Sequence, residues 1–282
     1  MIIESILLLV ALGGSALAGA IDLKTTEIPD WIPYAMIGIG VVGNVIKSIL
    51  VGSYTPILLS VAFGLGFLGF GFLLYYTGQW GGGDAKILSA IGFLLPEFSS
   101  AKSLFPFPLS FFFNVFFVGA FYMIFYSFIL ALFNRKIFSS FINDFRSKSK
   151  ELLFLILSVF ILITIFVILM SKFIPIFDIL VFSSSVLALT IFMFTLWRFE
   201  KSVENVGFKR KIRLSELKEG DVLDDSKLWE GLTKKQVKEI KKSGKKYVVI
   251  KDGVRFAPVF AFALLMTIFL GDIVFWVVGL FY

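Results

Sequence analysis

The sequence predicts an all-α polytopic membrane bundle with a small α+β domain placed just before its last span. Three observations carry this expectation. Hydrophobic residues make up 58% of the 282-residue chain and the mean hydropathy is +0.91, well outside the range of soluble globular domains. The apolar residues fall in runs of about 20, the length that crosses a hydrocarbon core of about 30 Å. One stretch, 198–256, is instead polar and densely charged, with 17 Lys+Arg against 10 Asp+Glu. The predicted organisation is a transmembrane bundle over 1–197 that would hold any catalytic site, a basic cytoplasmic domain over 198–256, and a final helix over 257–282.

In chain order the predicted spans are Ile2–Ile21, Trp31–Leu50, Pro56–Tyr76, Ala85–Leu95, Pro108–Phe133, Leu152–Met170, Ile174–Trp197 and Ala257–Phe281. That is about eight, with six to eight possible according to how the doubtful runs divide. The first run lacks a basic start and carries Glu4, so it reads as a retained helix and not as a cleaved signal. The fourth is short: about a dozen residues cover roughly 18 Å. It either extends through Pro96-Glu97-Phe98 or crosses part of the bilayer behind other helices. Within 198–256, Thr233-Lys234-Lys235-Gln236 has capping-box spacing and opens a short helix to about Lys242. Tyr247-Val248-Val249-Ile250, Lys251-Asp252-Gly253 and Val254-Arg255-Phe256 read as a hairpin with an Asp-Gly turn.

Basic residues set the expected orientation. With the N-terminus outside, only Lys47, Lys102 and Lys172 of the 27 Lys+Arg fall near the outer face. Arg135, Lys136, Arg146, Lys148 and Lys150 fall in the loop after the fifth span, on the same inner side as 198–256, as the positive-inside rule requires. The excess positive charge of 198–256 suits anionic lipid headgroups. No nucleic-acid motif accompanies it, so membrane lipids and not nucleic acid are the expected contact.

The chain has no Cys and no His. Disulfides, thiol nucleophiles, Cys/His zinc sites and His-dependent triads are therefore excluded, and no metal or other cofactor is expected. Carboxylates are left as the main carriers of polar chemistry, and their positions matter. Asp84 closes the stretch Trp80-Gly81-Gly82-Gly83-Asp84-Ala85-Lys86 between two apolar runs, at a membrane boundary where ionisable groups are functional candidates. The three glycines lack Cβ atoms, so another backbone can approach closely, and they permit φ values other residues avoid.

A second carboxylate, Asp22, ends the first apolar run, ahead of Glu27 and Asp30 in the connecting loop. Glu27 and Asp30 read as solvated loop charges and helix N-terminal acids. Two readings of Asp22 stand side by side. In one it is a helix-end carboxylate paired with Lys24 or Lys86. In the other Asp22 and Asp84 meet across the first and fourth helices, one keeping a proton while the other acts as base on a water, which divides the labour of peptide hydrolysis.

Gly81-Gly82-Gly83-Asp84 resembles the Gly-x-Gly-Asp motif of GxGD aspartic membrane proteases, and the segment from Asp22 through Ile28-Pro29-Asp30 resembles the first-aspartate segment of type IV prepilin peptidases. The likeness is to their archaeal branch, the prepilin and preflagellin peptidases. Lys218-Glu219-Gly220-Asp221, Gly231-Leu232-Thr233 and Val254-Arg255-Phe256-Ala257-Pro258 are similar to the C-terminal region of those enzymes. The resemblance implies Asp22 and Asp84 as the catalytic pair, with Gly81 and Gly83 shaping the turn. It further implies cleavage of a short prepilin or preflagellin leader at the cytoplasmic face while the substrate's hydrophobic helix stays in the bilayer. Cys motifs and a separate methyltransferase-like segment are missing, so N-methylation is not expected. Because 198–256 is basic overall, no role in binding a positively charged leader is assigned to it.

The rival class is a proton- or cation-coupled transporter or channel in which Asp22 and Asp84, with Asp178 and Asp272 inside later apolar runs, line a path. Asp178 and Asp272 read equally as interhelical hydrogen-bonding or outer-boundary residues.

Overall fold

The computed structural model describes residues 2–98, 103–173, 175–228, 230–243 and 246–279. Lys102, Ile174 and Phe281, named above, lie outside them. The chain is mostly helical: α1 (Ile2–Thr25), α2 (Trp31–Val51), α3 (Thr55–Tyr76), α4 (Gly82–Leu94), α5 (Phe107–Phe133), α6 (Arg135–Ser147), α7 (Ser149–Met170) and α8 (Ile176–Val203) precede three strands and three further helices. Among the described residues six helices, α1, α2, α3, α5, α7 and the one beginning at Ile176, are long and apolar enough to span a membrane. A seventh span is added if the broken pair α10 (Pro258–Leu270) and α11 (Ile273–Gly279), bent by 51°, counts as one. The chain is thus a multi-pass membrane protein.

The short fourth helix takes the second of its two expected forms. It has 13 residues, about 20 Å of rise, and stops at Leu94 without extending through Pro96. From Ile87 to Leu94 it is buried throughout, shielded by its neighbours. Its last carbonyls would be orphaned in an apolar setting. Asn44 Nδ2 on α2 donates to the Phe93 carbonyl at 2.9 Å, and Ser60 Oγ on α3 donates to the same oxygen at 2.6 Å. These two polar side chains let a helix end inside the bundle.

Residues 1–123 and 211–282 form one compact unit and 124–210 another. The first unit has its core in Leu7, Met36, Leu88, Phe111, Phe260 and Leu264 and their neighbours. Within it lies the small sheet, ordered β1 (Lys209–Arg213), β3 (Tyr247–Lys251), β2 (Val222–Leu223). Leu214, Leu217, Val237 and Ile250 pack its separate small core. Helix α9 (Lys234–Lys241) begins as expected, with Thr233 N–H donating to Gln236 Oε1 at 2.8 Å.

The expected hairpin does not form. Strand β3 pairs antiparallel with β2, Val222 opposite Lys251 and Leu223 opposite Ile250, while 252–256 runs away from the sheet toward α10. Pairing with a distant strand outweighs the local Asp-Gly turn signal. The second unit holds α6, α7 and α8. The loop expected over 134–150 is mostly a helix there, and Arg198 on α8 binds Asp144 on α6 through Nε and Nη2, both at 2.6 Å.

Candidate active site

The buried face of α1 runs Leu7, Ala11, Ser15, Ala18, Asp22, a helical stripe of steps of three and four. Asp22 is therefore carried inward by the same periodicity that packs the helix, and it is only 5% exposed although Leu23 to Glu27 are open. Its Oδ2 accepts a hydrogen bond from the Ala257 backbone N–H at 3.0 Å. Ala257 is the N-cap of α10 and Pro258 its first residue, so the carboxylate faces the positive end of that helix. One turn earlier, a Cβ on Gly19 would stand 2.9 Å from Pro258 Cα. A glycine there is what lets α10 come close enough for the bond.

Asp84 is the third residue of α4, and its Oδ2 accepts the Gly81 N–H at 3.1 Å. This is one half of a capping box; Gly81 has no side chain to return the bond. None of Gly81, Gly82 and Gly83 adopts a positive φ, so the expected conformational licence is not used. Their value is space. A Cβ on Gly83 would lie 2.9 Å from Ile28 Cβ, so the α1–α2 loop occupies the surface that the missing side chain leaves free.

The same loop is tied down a second time. Lys86 Nζ, 5.4 Å from the Tyr34 ring centroid, pairs with Asp30 at 2.5 Å. Trp80 anchors the other side of the glycine stretch among Phe116, Phe256 and Phe260, with ring centroids 5.6 to 6.0 Å apart.

These contacts bring Asp22 and Asp84 to the same end of the first unit, within electrostatic reach of one another. Asp22 forms no ion pair with Lys24 or Lys86 among the described residues; Lys86 is taken by Asp30. Glu27 and Asp30 are exposed. In both Asp22 and Asp84 the described side-chain hydrogen bond engages Oδ2.

Residue-type reasoning overlooked several neighbours. Arg255 lies close enough for its charge to act on Asp22, its Nε is buried without a hydrogen-bond partner among the described residues, and its carbonyl accepts the Tyr122 hydroxyl at 2.7 Å. The Tyr75 hydroxyl donates to the Glu230 carboxylate. Gly220 faces Glu27, whose Oε1 would be 3.4 Å from a Cβ there, and the Lys227 carbonyl lies over Gly78. The only advance signal for any of these was the cluster of motifs at 218–221 and 254–258.

The charge near the site also differs from the segment's total. Residues 216–230 hold six acids, Glu216, Glu219, Asp221, Asp224, Asp225 and Glu230, against Lys218 and Lys227. The basic excess of 198–256 lies elsewhere in it.

The other two apolar-run aspartates are accounted for structurally. Asp178 is exposed in the first turn of α8. Asp272 is fully buried, and its Oδ2 accepts the Leu104 N–H at 2.7 Å and the Ser110 hydroxyl at 3.1 Å. Together with Asn114, which donates to the Gly271 carbonyl at 2.8 Å and accepts the Ile273 N–H at 3.0 Å, it satisfies the backbone groups freed at the α10–α11 break. The 13 residues of α10 put this knot about 20 Å from Ala257.

Over 159 residues, 52% of its length, the chain is 25% identical to the prepilin peptidase EppA of Methanothermobacter thermautotrophicus, covering 41% of that protein. Over 117 residues, 37% of the chain, it is 33% identical to the preflagellin peptidase of Methanococcus voltae, covering 49% of that protein. The chain thus spans less than half the length of either relative. Residues 9–133, which contain both Asp22 and Asp84, match the type IV leader peptidase family.

Proposed function

We propose that the chain is a membrane-embedded aspartic endopeptidase that removes the short N-terminal leader of prepilin-like or preflagellin substrates at the cytoplasmic face, with Asp22 and Asp84 as its catalytic pair. The observation that carries this reading is that two acids from different helices lie within electrostatic reach of one another, each steered by a backbone N–H. Two carboxylates so placed do not both ionise readily, so the pair holds one proton between them. The ionised member takes a proton from water as its oxygen attacks the scissile carbonyl carbon. The protonated member gives its proton to the carbonyl oxygen. When the tetrahedral intermediate collapses and the C–N bond breaks, the proton gained from water passes to the leaving amine, and a hydroxyl of the intermediate returns its proton to the other carboxylate as the new carbonyl forms.

The names of both relatives support the substrate class, and the distribution of Lys and Arg supports a cytoplasmic site. A dyad at the inner boundary reaches a peptide bond just outside the bilayer while the substrate's apolar helix remains in lipid. The acids of 216–230 suit a cationic leader. A transport reading needs further intramembrane acids along a path, whereas Asp178 is exposed and Asp272 is taken up by backbone groups at the α10–α11 break.

The test is reconstitution of the full chain in liposomes with a membrane-inserted prepilin-like substrate, the product mapped by mass spectrometry. One cut between leader and hydrophobic helix is the expected result. Proton or cation flux without any proteolysis would replace the proposal with the transport reading.

A further inference from the structure

Helix α6 connects two spans with almost no slack: Asn134 alone separates it from α5 and Lys148 alone from α7. It therefore lies at the membrane surface, where an amphipathic helix settles along the interface. Its inner face is fixed to α8. Ile137 is fully buried, Phe141 packs edge-on against Phe199 at 5.7 Å, and Asp144 is bound bidentately by Arg198. Asp144 is the only acid on the helix, and that ion pair removes its charge from the outer face.

What points away from the protein is cationic. Arg135 and Arg146, three turns apart and so nearly in line, share the exposed face with Lys136. None of the three is paired with a carboxylate among the described residues, whereas Lys148 is held by Glu151. Phe138, 56% exposed, flanks them, an apolar side chain placed to enter the lipid beside the charges.

We propose that this face of α6 is a binding surface for the phosphate-bearing headgroups of anionic membrane lipids, with Arg135, Lys136 and Arg146 as the contacting residues. Charge complementarity and the forced position of the helix favour such lipids, independently of any peptidase activity. Guanidinium groups match phosphate oxygens in geometry as well as charge, so these arginines would concentrate anionic lipid beyond a diffuse attraction.

Because the chain has no Cys, S139C on the exposed face gives a single labelling site. The full chain with S139C, carrying a fluorophore, is reconstituted in phosphatidylcholine bilayers containing phosphatidylglycerol, with a quencher on one lipid or the other at equal mole fraction. Quenching by the phosphatidylglycerol-borne group is expected to exceed that by the phosphatidylcholine-borne group by about twofold or more at low salt. The excess should disappear at about 1 M salt, where the screening length is about 3 Å. It should also disappear in R135Q/K136Q/R146Q/S139C while quenching by phosphatidylcholine is retained, which shows the helix still in place. Equal quenching by both lipids at low salt, or an excess that survives the triple substitution, would overturn the proposal.

Discussion

The backbone N–H of Ala257 donates to Asp22 Oδ2 at 3.0 Å, joining the end of the first helix to the start of α10 across most of the chain's length. The contact explains why the family-like motifs occur at both ends of the sequence. The segment 254–258 does not supply an acid; it holds one. On this account Gly19→Ala is expected to reduce leader cleavage strongly, on the order of tenfold or more, because its methyl would meet backbone atoms of Pro258 at 2.9 Å. Cleavage kinetics on the folded fraction check this.

The packing of Ile28 on Gly83 gives a graded pair of substitutions. Gly83→Ala places a methyl 2.9 Å from Ile28 Cβ, whereas Gly82→Ala meets nothing closer than Tyr75 at 3.8 Å. Overpacking of the first kind costs about 1–3 kcal/mol. Thermal denaturation and cleavage should both register Gly83→Ala and scarcely register Gly82→Ala. Adding Ile28→Ala, which removes the contacts at 3.1 and 3.3 Å, should recover part of the loss.

Arg255 is expected to act on rate and not on substrate affinity. Arg255→Met should lower kcat roughly tenfold, equivalent to about 1.4 kcal/mol in the barrier, with KM little changed, and Arg255→Lys should recover part of it. A change confined to KM would instead assign the guanidinium to substrate binding.

Asp272 separates a structural acid from a reactive one. Asp272→Ala takes the acceptor from the buried Ser110 hydroxyl and from the Leu104 and Phe105 N–H groups, and an unsatisfied buried group costs about 1–3 kcal/mol. The melting temperature should fall while the folded protein cleaves at the normal rate. Asp178→Asn, at an exposed position, should alter neither.

Much of this arrangement was legible from residue pattern, and the misses have physical causes. In a membrane helix lipid is as apolar as the core, so hydrophobicity does not mark the buried face; small and polar residues do. The stripe Leu7, Ala11, Ser15, Ala18 leading to Asp22, and the stripe Met36, Gly40, Asn44, Ser48 on α2, were readable on that principle, and the second places Asn44 where it receives the end of α4. The α4 boundaries and Asp84 were legible because glycines and a change in polarity enclose them. The partner of β3 was not, since Asp252-Gly253 is a local signal and Val222–Leu223 a two-residue strand far from it in sequence. Helix α6 was hidden by its charge: its basic residues read as a loop, although Ile137, Phe141, Asp144 and Phe145 recur at helical spacing.

The catalytic pairing is tested most directly by leader cleavage with Asp84→Asn, which keeps the side chain's shape but removes its titration, measured in liposomes beside the unmodified chain and Asp22→Asn. Both variants should fold, insert and bind substrate while cleavage falls below about one-thousandth of the normal rate. Cleavage by Asp84→Asn at an undiminished rate would contradict the account.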